Sequence, residues 1–263
     1  MLAYLTWNVG PIIGKLGPLT FRYYSLLFSV MSLIGVGLVL WQTKKIGLNE
    51  DQRIQFAFYL LVAMIIGARL GQVLFYAPGF YFRHPLEIFK IWKGGLASHG
   101  ATAALLIAVW LYARKIGRKF LELADRMTMS VAVAIIFVRI GNFFNHEIVG
   151  RVTDVPWAVE FLKSKAGTEP RHPSQLYESM LGMVVLAILL YLDAKVADRY
   201  GRGLLAGTLV IVYFGGRFFL EFFKEYQTLS PNFPLTMGQI LSIPMIAVGI
   251  WWLRIAWKGR VKE

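Results

Sequence analysis

Arginines stand in segments that a lipid bilayer would hold, together with residue types able to bind and transform an anion. Arg139 ends the apolar run 131–138, and Asn142 and Asn145 follow three and six residues on, a polar stripe on one helix face. Arg217 follows Gly215 and Gly216, and Glu221 lies four residues further, within reach of an i,i+4 ion pair. An ionisable side chain in a bilayer costs at least ~2.5–3.5 kcal/mol on insertion scales, so its default reading is functional. The blander alternative is that each arginine snorkels to the interface or ties two helices together. Both arginines fall in the same third of helices running in the same direction, and His99 and Tyr24 begin helices at that end. Arg, Arg, His and Tyr thus share one depth, that of phospholipid headgroups. Two planar guanidinium forks there suit a phosphodiester. His99, with Gly94 and Gly95 before it and Gly100 after it, is the best available general base. His84, His146 and His172 match no compact metal motif, so no metal is expected.

Composition supports the bilayer. The 263 residues are 57% hydrophobic and 16% charged, with a mean hydropathy of +0.55. A soluble domain has about 45–50% apolar and about 25% charged residues, and disorder requires low hydrophobicity. There is no cysteine, which excludes disulfides, thiolate metal sites and a nucleophilic thiol of the chain's own. A net charge of +13 points to nucleic acid only if the charges cluster on one face.

A ruler of about 20 apolar residues predicts seven spans, at roughly 22–41, 56–76, 97–114, 127–145, 176–192, 204–223 and 238–257. The expectation is an all-α polytopic membrane protein, one integral membrane domain over 1–263. One side carries Lys44, Lys45, Arg53, the cluster Arg114, Lys115, Arg118, Lys119 and Arg126, then Lys195, Arg199, Arg202, Arg254, Lys258, Arg260 and Lys262. That richer side should be cytoplasmic, which puts the N-terminus outside and the C-terminus inside. The basic balance is thereby accounted for without nucleic acid. Residues 1–21, broken by Gly10-Pro11 and Gly17-Pro18, read as an outside interfacial arm rather than a cleavable signal. The polar, turn-rich segment 146–175 reads as an extracytoplasmic loop or head on the same side.

The block Arg139-Ile140-Gly141-Asn142-Phe143-Phe144-Asn145-His146-Glu147-Ile148-Val149-Gly150-Arg151 resembles the signature of the bacterial prolipoprotein diacylglyceryl transferases. Other stretches agree in order: Arg22-Tyr23-Tyr24, Gly67-Ala68-Arg69-Leu70-Gly71, Gly94-Gly95-Leu96-Ala97-Ser98-His99-Gly100 and Arg171-His172-Pro173-Ser174-Gln175-Leu176-Tyr177-Glu178. Arg217-Phe218-Phe219-Leu220-Glu221-Phe222-Phe223 and Thr236-Met237-Gly238-Gln239 complete the set, so that the resemblance covers nearly the whole chain. It implies a seven-span enzyme of the bacterial cytoplasmic membrane, its site facing the outer leaflet. Such enzymes move the diacylglyceryl group of phosphatidylglycerol to the lipobox cysteine of a preprolipoprotein, with no cofactor, and release glycerol phosphate. It also implies that Arg139 binds the headgroup beside an essential Arg217. Tyr24, His99, Asn142, Glu147, Gly150 and Glu221 fall on positions with catalytic or binding roles. Two positions depart: His146 stands where the residue is often small, commonly glycine, and Lys224 where an arginine is expected.

In chemical terms, Arg139 and Arg217 would clamp the phosphate and stabilise its departure. His99 would steer the thiol proton, and Tyr24 and Asn142 would orient the headgroup. Glu147 or Glu221 as base, or a thiol activated by the arginine field alone, remain open at this point. The residues taken alone also leave open an anion transporter or channel. That reading expects matching polar residues through both leaflets and an internal repeat, neither of which the sequence displays.

Overall fold

The computed structural model describes residues 4–17, 19–91, 94–225 and 233–260. In chain order its elements are β1 (Leu5–Trp7), β2 (Ile12–Leu16), β3 (Leu19–Arg22), α1 (Tyr23–Lys44), α2 (Glu50–Gly71), α3 (Pro78–Arg83), α4 (Ser98–Lys115), α5 (Phe120–Phe144), β4 (Val159–Phe161), β5 (Pro170–Arg171), α6 (Ser174–Lys195), α7 (Leu204–Leu220) and α8 (Met237–Lys258). The protein is mostly helical and multi-pass. Among the described residues six helices are long and apolar enough to cross a membrane: α1, α2 with its continuation to Tyr76, α5, α6, α7 with its closing turn to Phe223, and α8. The third expected span is α4. It forms as a helix, but Ser98-His99 at one end and Arg114-Lys115 at the other shorten its apolar middle.

The all-α expectation needs one correction. The arm and the head are not irregular: β2 and β3 form an antiparallel hairpin, while β1, β4 and β5 form a three-stranded sheet in that order. β1 runs parallel to β4, pairing Leu5 with Val159 and Trp7 with Phe161. The cause is an aromatic cluster at the end of α5. Trp7 lies 4.7 Å from Phe143 and 5.5 Å from Phe144, and Phe143 meets Phe161 edge-on at 5.4 Å. Three-residue strands carry too little pattern to be read from sequence. They form because their rings have a core to enter.

The chain divides into two compact units, residues 1–38 with 127–263, and residues 39–126. In the first, Met129 and Ala132 of α5, Val185 and Leu189 of α6 and Leu205 of α7 form a buried core. Small residues let these helices close up: Gly182 backs onto Ile135 and Ile136, and Gly207 and Gly249 bring α7 and α8 together. Ser130 Oγ donates to the Gly35 carbonyl at 2.9 Å, a polar tie between α5 and α1. Outward-facing Leu26, Leu33, Met180, Met183 and Trp251 stay exposed, as lipid-facing residues do.

In the second unit α2 begins with a reciprocal capping box between Asn49 and Gln52. It packs on α4 through Gly67, Gly71 and Gly100, where an added Cβ at any of the three would strike the other helix. Arg69, the third arginine within an expected span, is buried and ties a loop down. It donates to the carbonyls of Ile88 (2.7 Å), Gly94 (2.7 Å), Gly95 (3.0 Å) and Glu87 (2.5 Å). That loop leads into α4 and His99, and Ala97 N–H donates to the Ala68 carbonyl at 2.9 Å.

Candidate functional site

Glu178, in the second turn of α6, is the centre of the charge arrangement and is 0% exposed. Burying a lone carboxylate is prohibitive unless it is paired. It has two partners: Arg139 Nε of α5 at 2.5 Å and the Nζ of Lys224, just beyond α7. Lys224 in turn reaches Glu221 Oε1 at 2.7 Å, and Glu221 lies 3.6 Å from Arg217 Nη2. Charges therefore alternate along Arg139, Glu178, Lys224, Glu221 and Arg217, three cations braced by two carboxylates. One positive charge is left over. The arginines at the ends of the chain are the more open members, with side chains 11% and 24% exposed, against 6% for Lys224.

Of the sequence-predicted residues of the first unit, Asn142 and Glu147 connect to this row through Arg139, and Gly150 through Lys224. Arg139 Nη1 approaches Asn142 Oδ1 at 3.5 Å, and Asn142 Nδ2 donates to Glu147 Oε2 at 3.4 Å. Arg139 Nη2 has no hydrogen-bond partner among the described residues. Tyr24, at the start of α1, lays its ring on Gly141, where any Cβ would come within 2.7 Å of Cδ2. Gly150 is pressed between His172 and the Phe223 carbonyl, both 2.6 Å or less from an added Cβ, and bridges Lys224 in antiparallel fashion. Arg217 Nη1 donates to Tyr213 Oη at 3.3 Å, one turn earlier on α7. Glu221 does meet Arg217 as its spacing predicts, but its shorter contacts are Lys224 and the Thr236 hydroxyl at 3.0 Å. Thr236 also caps α8, and Gly238 leaves room for the Glu221 carboxylate. His99 belongs to the second unit, exposed in the first turn of α4. Asn145, the third member of the expected polar stripe, has a buried Oδ1 with no hydrogen-bond partner among the described residues.

Glu178 and Tyr213 are functional candidates that sequence reasoning passed over. The signal for Glu178 was present, since a carboxylate falls inside the expected span 176–192. Lys224, read only as a departure from an arginine, proves to be the bridge between the two carboxylates. His146 also gains an explanation. Its φ of 55° lies in the left-handed region that glycine enters freely, and histidine holds it through an Nε2 contact to the Val9 carbonyl at 2.8 Å.

Beside the network, His172 meets the rings of Phe223 (5.2 Å) and Tyr177 (5.9 Å) edge-on, and those two rings also meet each other. Its Nδ1 lies 3.1 Å from the Tyr177 hydroxyl, which accepts from Trp157 Nε1 at 2.7 Å. Burial pushes the His172 pKa below its ordinary 6.5. The folded state thus disfavours the imidazolium, so this contribution to stability is full above the unfolded pKa and is lost as pH falls below it. Thermal unfolding should show a midpoint that drops as pH is lowered through the region below about 6.5. The His172→Phe variant should lose part of that slope; an unchanged slope would remove His172 as its cause.

The long apolar helices define a multi-pass membrane protein, with a braced cation cluster in its first unit. The chain belongs to the prolipoprotein diacylglyceryl transferase family, whose model matches residues 11–255. The curated proteins that it is similar to include three each named a phosphatidylglycerol–prolipoprotein diacylglyceryl transferase. The one from Chloroherpeton thalassium is 39% identical over 94% of this chain and 92% of its own length. That from Tolumonas auensis is 36% identical over 98% and 100%, and that from Legionella pneumophila strain Paris 39% over 93% and 96%.

Proposed function

We propose that the chain transfers the diacylglyceryl group of phosphatidylglycerol to the lipobox cysteine of a preprolipoprotein, in the bacterial cytoplasmic membrane. The observation that carries this is the pair of arginines, Arg139 and Arg217, that form the two more open ends of the row and are held there by the buried Glu178 and Glu221. The sulfur, as thiolate, attacks C3 of the lipid's glycerol. A C–S bond forms, the C–O bond to phosphate breaks, and glycerol phosphate leaves with the bonding electrons. Arg139 and Arg217 bind the phosphate and offset the charge that develops on it, the kind of preorganised stabilisation that is strongest away from water. Asn142 and Tyr24 orient the headgroup, and the close approach at Gly150 keeps the surrounding backbone in place. No cofactor is required, because the lipid brings its own leaving group, and no nucleic acid partner is called for.

The thiol has an ordinary pKa of ~8.5 and needs a base or a positive field. Glu221 is committed to Lys224, Arg217 and Thr236, which makes it a pairing residue. His99 and the exposed Glu147 remain as bases. His99→Gln should lower kcat by about a hundredfold or more if the imidazole takes the proton; turnover within a few-fold of the parent would pass that role to Glu147 or to the arginines.

In this reading α4 is the seventh span, the N-terminus lies outside, and the C-terminus is cytoplasmic. The site then faces the outer leaflet, with the arm and the 146–175 head beside it, in one integral membrane domain. The test is direct. Purified protein with phosphatidylglycerol and a lipobox-cysteine peptide should yield a thioether-linked diacylglyceryl peptide and glycerol phosphate; failure to form the thioether overturns the proposal.

A further inference from the structure

The loop that leaves α5 holds a second non-glycine residue in the left-handed region, Ile148, with φ 55°. For a β-branched side chain that conformation is an outlier that the surroundings must impose. The imposing groups come from the first turn of α6. Ser174 Oγ donates to the Ile148 carbonyl at 2.8 Å, and Gln175 Nε2 donates to the Glu147 carbonyl at 2.6 Å. Both side chains are buried. Glu147 N–H donates to the Asn142 carbonyl at 3.0 Å on one flank, and Gly150 N–H to the His172 carbonyl at 3.0 Å on the other. The strained residue therefore sits between Glu147, which Asn142 connects to Arg139, and Gly150, which bridges Lys224.

We propose that Ser174 and Gln175 are positioning residues for the transfer reaction: by gripping two consecutive carbonyls they keep Ile148 left-handed, and that backbone setting fixes both Glu147 and Gly150. A return of Ile148 to an ordinary conformation would rotate Gly150 relative to Glu147. The Asn142–Glu147 contact and the Gly150–Lys224 bridge could not then both persist. The two α6 side chains touch neither phosphate nor thiol in this scheme; they act through the backbone of the loop. The inference rests on the transferase reading of the site only for its kinetic consequence.

The test uses the full chain in phosphatidylglycerol-containing nanodiscs. Gln175→Leu and Ser174→Ala should each speed hydrogen exchange at the amides of 147–150 several-fold without substrate peptide. Each should lower kcat for the lipobox peptide about tenfold, with KM for the lipid changed less than about threefold. Adding Ile148→Gly, which enters the left-handed region without strain, should restore most of the lost kcat. Ser174→Ala removes only one oxygen and serves where Gln175→Leu fails to fold. Unchanged exchange and kcat in both variants, or no restoration by Ile148→Gly in a folded variant, overturns the proposal. Faster exchange in the variants of a protein that makes no thioether upholds the grip and removes the transferase reading alone.

Discussion

Arg139→Ala should abolish diacylglyceryl transfer, with at least a hundred- to thousand-fold loss of kcat/KM, the scale for removing one preorganised donor from a developing oxyanion. The loss has two sources. The phosphate would lose a guanidinium fork, and Glu178 would lose its 2.5 Å partner. Arg139→Lys separates them, because an ammonium still neutralises Glu178 while the planar fork is gone. The lysine variant should keep the parent's thermal midpoint within a few degrees and still fail in transfer. Thioether formation in detergent, followed by mass of the peptide, reads both variants; full activity in Arg139→Ala would remove the phosphate clamp.

The second large effect is expected at Glu178. Glu178→Ala leaves Arg139 and Lys224 facing each other with their shared carboxylate removed. Breaking a buried ion pair by deleting one partner costs about 3–5 kcal/mol, so this variant should unfold at markedly lower temperature and lose activity together. Glu178→Gln keeps the shape and removes the charge, and should lie between. By contrast, Lys224→Arg should be tolerated, since it retains the positive charge between Glu178 and Glu221. A thermal-shift series on the three variants checks the order. Glu178→Ala as stable as the parent would mean that the network braces nothing.

The helices were legible in the sequence because about twenty apolar residues in a row can hardly be anything else, and all seven expected segments are helical. Arg139, Asn142, Arg217 and Glu221 stood out because charge in an apolar run is costly. What could not be read was partnership. Glu178 looks like one more acidic residue near a helix start until α5 and the end of α7 are seen to converge on it. The strands of the arm and head were hidden for a different reason: β1 exists only because Trp7 finds Phe143 and Phe144, residues more than a hundred positions away. Ile148 illustrates a third limit, since no sequence pattern announces a β-branched residue held in a glycine conformation.

The alternating charges also bear on how the protein is made. Arg139 and Glu178 lie on consecutive membrane helices, α5 and α6, so they can neutralise each other as a hairpin while the ribosome is still synthesising α7. Arg217, Glu221 and Lys224 then arrive as a group spaced to pair among themselves, and the later link from Lys224 to Glu178 joins a neutral pair to a group that carries a single net positive charge. Each charged segment thus enters the bilayer with its counter-ion alongside or already waiting, which lowers the cost of inserting it. Biogenesis and catalysis draw on the same side chains, and a substitution that unbalances the row should reduce the amount of inserted protein as well as its turnover.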